Sequence, residues 1–120
     1  MRAGIWNLVI EQGADETFVL TWTIESTGAA VDITGFKFYW TAKEKKTDST
    51  YIINISTEAD TGIGTITLSD PENGEFKMSL PEAVTAAYTF TSLYHNVKFI
   101  DTLSEEHRLL EGQIKLSTEV

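Results

Sequence analysis

The sequence contains no cysteine, and that absence removes several kinds of chemistry at once. Disulfide bonds, thiolate zinc sites and cysteine nucleophiles are all excluded, because each requires the thiol side chain. The stability of the fold must then come from apolar burial and from hydrogen bonds between strands. The absence does not fix a compartment, since proteins assembled in a reducing cytoplasm also manage without disulfides.

Basic residues are also scarce. Nine Lys and Arg stand against eighteen Asp and Glu, which gives a formal net charge of −9 at pH 7. A surface with this charge repels both nucleic acid and anionic membranes. We therefore expect no direct nucleic-acid partner and no membrane partner.

Long hydrophobic runs are missing as well. The opening residues 1–13 (MRAGIWNLVIEQG) hold one short apolar stretch interrupted by Asn7, which is too weak for a signal-peptide core or a membrane span. We expect residue 1 to begin the mature domain. Because the chain has 120 residues, 42% of them hydrophobic, we predict a single folded domain over residues 1–120.

Alternation of apolar and polar residues is the dominant pattern in the chain. Residues 17–25 carry one apolar phase, Phe18, Leu20, Trp22 and Ile24, and the next run carries Phe36, Phe38, Trp40 and Ala42. Further candidate strands lie between turn-forming clusters, at residues 5–11, 51–56, 64–68, 75–80, 93–101 and 107–117. Seven or eight short strands in 120 residues predict an all-β, antiparallel sandwich.

One segment, residues 79–87, has helical character. Ser79 and Glu82 stand at capping-box spacing, and Pro81 is tolerated in a first helical turn. The segment is too short to persist unless it packs against the rest of the protein. We interpret it as a helical turn that closes one end of the sandwich.

The two histidines are the main candidates for chemistry. The last two strands align as a hairpin that places Val97 opposite Leu110, Leu93 opposite Ile114 and His95 opposite Gly112. The same register faces His95 inward and His107, opposite Ile100, outward, so the two histidines do not share a metal ion. Neither histidine has a supporting motif for a catalytic triad, since the sequence contains no G-x-S-x-G. We predict no enzymatic activity, no catalytic residue, no cofactor and no metal site.

Carboxylate pairs are plentiful in the sequence, and one of them, Glu58 and Asp60, suits a calcium loop by residue type. None of the pairs matches the D-x-[DN]-x-[DN]-G pattern of calcium-binding loops. Solvated acidic loops are the simpler interpretation, because an acidic chain must place its charges at the surface.

Four residues are the candidate partner contacts. Lys43, Lys45 and Lys46 form the main basic concentration of the sequence, and local positive charge on an acidic protein suits steering toward an acidic partner. A solvated loop is the ordinary alternative for such a cluster. Trp6 joins them because its orientation is ambiguous, whereas Trp22 and Trp40 share the phase of their apolar neighbours.

Six short stretches together resemble a known family. They are IEQGA (10–14), VDITGF (31–36), GTITL (64–68), PEAVTAAY (81–88), LYHNV (93–97) and LLEGQI (109–114). The set resembles the small immunoglobulin-like modules of tailed-bacteriophage structural proteins, of which the N-terminal domain of baseplate upper proteins is the best-known kind. Two stretches depart from the family pattern: His95 and Asn96 replace an aromatic and an acid, and residues 101–104 lack the glycine of the usual D-x-x-G turn.

The resemblance implies an immunoglobulin-like sandwich that serves as a non-enzymatic virion component. Such a protein is a head decoration or stabilising protein, or a tail or baseplate subunit, assembled in the host cytoplasm. Its partners are other capsid or tail proteins, and it forms homo-oligomers. The alternative is a surface module that binds a receptor or carbohydrate, which requires Trp6, Tyr39 and Tyr94 to be exposed together.

Overall fold

A computed structural model describes residues 4–24, 26–58 and 63–118 of the chain. In these residues the regular structure is mostly strand: β1 (Gly4–Ile5), β2 (Leu8–Glu11), β3 (Glu16–Thr21), β4 (Lys37–Lys43), β5 (Ile53–Ser56), β6 (Thr65–Asp70), β7 (Glu75–Leu80), β8 (Ser92–Ile100) and β9 (Glu106–Ser117). A 3-10 turn covers Pro71–Asn73, and one short helix, α1, covers Glu82–Ala86. The described part of the chain holds no helix with the length and apolar content needed to cross a membrane.

The strands form two sheets that face each other across one core. The larger sheet has the order β5–β4–β8–β9, with β1 and β2 both on the far edge of β9, and the smaller has the order β3–β7–β6. An immunoglobulin-like sandwich has this arrangement, with strands B, E and D in one sheet and C, F and G in the other. The all-β sandwich with one short helical turn is therefore confirmed.

The pairing at the N-terminal edge corrects the purely antiparallel prediction. β1 and β2 run parallel to β9, with Gly4 opposite Leu110 and Leu8 opposite Ile114. The strand expected at residues 5–11 is broken before Leu8, because the Asn7 side-chain oxygen accepts a hydrogen bond from the Gln113 N–H (2.9 Å). This break brings the described strands to nine, where seven or eight were predicted.

The inward phase of β4 is confirmed and supplies the centre of the core. Its buried side chains are Phe38, Trp40 and Ala42, and Phe36 packs against them from the preceding turn. The Phe38 ring stacks on Phe76 of β7 with centroids 4.3 Å apart, which joins the two sheets. Full burial of one large apolar side chain contributes about 1.5–3 kcal/mol before chain entropy is subtracted.

The prediction for residues 17–25 is only partly correct. Phe18, Leu20 and Trp22 point toward the core, but β3 ends at Thr21 and Ile24 is 47% exposed. The chain turns back at this point, because the N–H of Gly28 donates to the Ile24 carbonyl at 2.7 Å. Glu25 lies outside the described residues.

The helical turn has a different cap from the one predicted. Ser79 belongs to β7 and takes no part in capping. The N–H of Glu82 instead donates to the Asp15 carboxylate at 2.6 Å, and the Thr85 hydroxyl donates to the Ala14 carbonyl at 2.7 Å. The turn between β2 and β3 therefore holds α1 against the end of the sandwich.

The hairpin register between β8 and β9 is confirmed up to Val97. Leu93 pairs with Ile114, His95 with Gly112 and Val97 with Leu110. A bulge after Val97 then shifts the pairing by one residue, so His107 faces Phe99 and not Ile100. The prediction of an outward His107 is wrong, because its ring stacks on the buried Phe99 ring with centroids 5.0 Å apart.

The turn between β8 and β9 holds Ser104 at φ 64°, the left-handed region that glycine adopts freely. The phage pattern that the sequence resembles leads us to expect glycine at this position. We expect Ser104→Gly to raise the free energy of unfolding by about 0.5–1 kcal/mol, measured by urea denaturation. Ser92→Gly, made in the extended backbone of β8, is the control and should lower it; equal losses at both positions would contradict the account.

Candidate functional site

The outer face of the larger sheet forms a groove with a volume of about 780 Å³. Its floor consists of the outward side chains of β4, β8 and β9, which alternate with the core residues of the same strands. The β4–β5 loop borders one side, and the first described residues border the other. The lining side chains on these elements are Thr41, Lys43, Lys46, Tyr51, Tyr94, Asn96, Lys98, Arg108, Glu111, Gln113, Ile5 and Asn7.

Positive charge is concentrated in this groove. Among the described residues, four basic side chains line it and one acidic side chain, Glu111, does so, although the whole sequence has twice as many acids as bases. The remainder of the protein therefore carries a large excess of negative charge. A basic concavity on an acidic protein focuses the local field and attracts anionic groups.

Two of the cations are held by tyrosine rings. The Lys43 ammonium lies 4.7 Å from the centroid of Tyr51, and the Lys46 ammonium lies 5.2 Å from the centroid of Tyr94. Both distances suit cation–π attraction. The ion pairs of the described residues include neither lysine, so these two charges face the groove without a carboxylate partner.

The other two cations have carboxylate partners within the protein. Lys98 pairs with Glu106 at 3.5 Å, and Arg108 pairs with Glu111 at 3.2 Å. Exposed pairs of this kind contribute little to stability. They do reduce the net positive charge at that end of the groove, so its strongest field lies near Lys43 and Lys46.

The structure separates the three predicted lysine contacts. Lys43 and Lys46 line the groove, whereas Lys45 is exposed outside it. The Lys45 backbone N–H donates to the Asp48 carboxylate at 3.2 Å, which fixes the loop between them. Lys45 therefore serves as a control position with the same charge and nearly the same place in the sequence.

Trp6, the fourth predicted contact, is partly buried and packs against the core, so its ring does not form an open contact surface. Its ring lies edge-on to Phe18 (5.6 Å between centroids) and stacks on Trp40 (6.4 Å). Alternation left its orientation ambiguous because both phases of this short segment contain apolar residues. The carbohydrate platform of Trp6, Tyr39 and Tyr94 is therefore not formed.

His95 forms a buried hydrogen-bond network with two tryptophans. The Trp40 indole N–H donates to His95 Nδ1 at 2.9 Å, and since an indole is only a donor, Nδ1 is the acceptor. Nε2 therefore carries the proton and donates to the Trp6 carbonyl at 2.7 Å. Burial lowers the pKa of His95, against a smaller raising effect of that carbonyl, so the neutral ring is favoured.

A second cluster of polar groups lies in the β8–β9 turn. Ligand-type atoms of Asp101, Glu105 and His107 lie within 4.8 Å of one another. One Asp101 oxygen accepts the backbone N–H groups of Leu103 and Glu105 at 2.9 and 3.0 Å, and the other lies 3.2 Å from His107 Nε2. The Glu105 N–H, more than any other group, lowers the pKa of Asp101, so this carboxylate acts as the cap of a tight turn.

Of the carboxylate pair considered for calcium, Glu58 lies among the described residues and Asp60 lies outside them. Glu58 pairs with Lys37 at 2.8 Å, and the hydrogen bond from this lysine lowers the pKa of the Glu58 carboxyl. Glu58 is thus engaged in a surface ion pair, which agrees with the interpretation of this loop as solvated.

Sequence reasoning missed three basic or aromatic groove residues, Tyr51, Lys98 and Arg108, and named Tyr94 only for the alternative carbohydrate surface. The signal for Lys98 was present, because Lys98, like Tyr94, occupies the outward phase of β8, whose inward phase was correctly assigned. Tyr51 and Arg108 reach the groove through a loop and a bulge, which alternation does not predict. Tyr51 is 45% exposed and Tyr94 is 40% exposed.

Comparison with known proteins adds no family assignment. No protein-family model matches the chain, and no curated protein matches it. The immunoglobulin-like fold rests on the strand order, and the function must be argued from the groove.

Proposed function

We propose that the chain is a non-enzymatic structural protein of a tailed-phage virion, a head decoration or a tail or baseplate component, that works through protein–protein contacts. The basic groove on an otherwise acidic protein is the observation that carries the proposal. The resemblance to phage modules supports the virion setting, and the immunoglobulin-like strand order is consistent with that resemblance.

A contact role fits the groove better than catalysis does. Both ring nitrogens of His95 are engaged by tryptophans, so this histidine is not available as a general base. Lys43 and Lys46 lie over aromatic rings and are placed to attract an anion at the surface. The remaining floor groups, Thr41, Asn96 and Gln113, are neutral hydrogen-bonding side chains.

A sugar-binding role has one observation in its favour, the two exposed tyrosines at the groove. Sugars stack on open faces of aromatic rings. Here a lysine ammonium lies over one face of each ring, 4.7 Å from the centroid of Tyr51 and 5.2 Å from the centroid of Tyr94. We therefore expect that no glycan binding seen on an array depends on Tyr94: any signal of the native chain should persist in Tyr94→Ala.

We expect purified phage particles to contain the chain in many copies. Mass spectrometry of the particles should detect it, and a particle reconstruction should show where it lies. The Lys43→Glu, Lys46→Glu double variant should be incorporated about tenfold less, because charge reversal turns attraction into repulsion at the contact. Lys45→Glu should be incorporated normally, and thermal unfolding should show that both variants fold. A chain that is absent from particles and stays monomeric at high concentration would overturn the proposal.

A further inference from the structure

We propose that the groove binds an extended, acidic segment of another virion protein, and that Lys43 and Lys46 at its β4–β5 side supply the main attraction. This inference rests on the proposal above that the outer face of the larger sheet is the contact surface. It goes further by naming the chemistry of the occupant and the two charges that recognise it.

Charge complementarity carries the first step of the argument. Lys43 and Lys46 have no carboxylate partner among the described residues, whereas Lys98 and Arg108 are already paired. The tyrosine rings hold the two ammonium groups in place, so less side-chain entropy is lost when a ligand binds. An incoming carboxylate meets two positioned cations that line the same groove.

The floor of the groove suits a peptide backbone. Thr41 and Asn96 lie on neighbouring strands, and the Thr41 hydroxyl donates to the Asn96 side-chain oxygen at 3.3 Å. The Asn96 amide has two N–H donors, and the Gln113 side chain, opposite Tyr94 on β9, offers donors and an acceptor. Such side chains can form hydrogen bonds with the N–H and C=O groups of an extended segment, while the lysines attract its carboxylates.

Two other occupants fit the groove less well. A second copy of this chain carries a formal net charge of −9, so two copies repel each other except where an acidic part meets the groove. A single-stranded nucleic acid needs open aromatic faces on which bases stack, and the lysines cover these faces. A short acidic segment avoids both difficulties, since it brings local negative charge without a large acidic body.

The test measures fluorescence anisotropy of a short labelled peptide of alternating glutamate and serine, titrated with the purified chain. We expect binding at low ionic strength that weakens as salt is added, and no binding of the matched peptide with glutamine in place of glutamate. Lys46→Glu should weaken binding by several-fold and the Lys43→Glu, Lys46→Glu double variant by about tenfold or more. Lys45→Glu, which changes the net charge of the protein as Lys46→Glu does, should bind as the native chain does.

Nuclear magnetic resonance on the native chain gives a second measurement that needs no substitution. The acidic peptide should shift the resonances of Thr41, Asn96 and Gln113. The inference would be refuted if Lys45→Glu weakened peptide binding as much as Lys46→Glu does. It would also be refuted if the peptide shifted only resonances of residues outside the groove. Tighter binding of a single-stranded oligothymidylate, or self-association through the same lysines without peptide, would refute it as well.

The two proposals fail in different ways. If the acidic peptide binds as expected but particles do not contain the chain, the virion function is wrong and the groove chemistry stands. If particles contain the chain and the peptide does not bind, the occupant is wrong and the virion function stands.

Discussion

Gly112→Ala is expected to lower the free energy of unfolding by about 2–4 kcal/mol and to loosen the N-terminal strands from β9. A Cβ at this position would lie 2.7 Å from the Trp6 carbonyl carbon and 2.8 Å from the Asn7 side-chain oxygen, and closer still to the Trp6 carbonyl oxygen. Backbone atoms cannot move aside as a flexible side chain can. The segment at Trp6 must therefore shift away from β9.

That shift breaks several contacts together. The Trp6 carbonyl would lose the His95 donor at 2.7 Å, and the Trp6 N–H would lose the Glu111 carbonyl at 2.8 Å. Urea denaturation and hydrogen exchange of β2 should report the loss. Gly4→Ala is the matched control, because its nearest contact is the mobile end of the Leu110 side chain at 3.3 Å, and we expect a much smaller effect. Equal effects at the two glycines would refute the close-approach argument.

His95→Ala is expected to cost about 2–4 kcal/mol of unfolding free energy, the second large effect. The substitution removes a buried ring and leaves the Trp40 indole N–H and the Trp6 carbonyl without their partner. The matched control is His107→Ala, whose side chain is 30% exposed and lies at the edge of the core. We expect a smaller loss there, measured by the same denaturation experiment.

The same histidine should make stability depend on pH. Because burial lowers the pKa of His95 in the folded protein, the unfolded chain takes up a proton first as the pH falls. The contribution of the neutral ring is complete above about pH 6.5, the ordinary pKa of histidine, and decreases as the pH falls from there toward the folded pKa. His95→Gln should flatten this part of the profile relative to the native chain, and an unchanged slope would show that His95 does not titrate there.

The sequence predicted the parts of the fold that alternation controls. The phase of β4 and the pairing of Leu93 with Ile114 follow from a period of two, and both are present. Alternation carries no information about a bulge, so the face of His107 was assigned wrongly. The orientation of Trp6 was ambiguous for another reason: both phases of this segment contain apolar residues, and only the structure shows that Trp6 and Leu8 pack against the core.

The groove was harder to predict than the core. Lys43 and Lys46 were found through local charge, but Lys98 and Arg108 come from other strands and join them only when β4, β8 and β9 lie side by side. The sequence could not separate Lys45 from Lys43 and Lys46, because it does not show which of these side chains lie over the groove. The groove depends on which strands lie side by side in the sheet, whereas the core residues follow from the alternation within each strand.

The parallel edge of the larger sheet has a mechanical consequence. Gly4 lies opposite Leu110 and Glu11 opposite Ser117, so Gly4 and Ser117 lie about 23 Å apart along this edge. A force that pulls Gly4 and Ser117 apart along the strands would load the hydrogen bonds between β2 and β9 in shear. We expect the domain to resist such a force better than one that peels β1 and β2 away from β9.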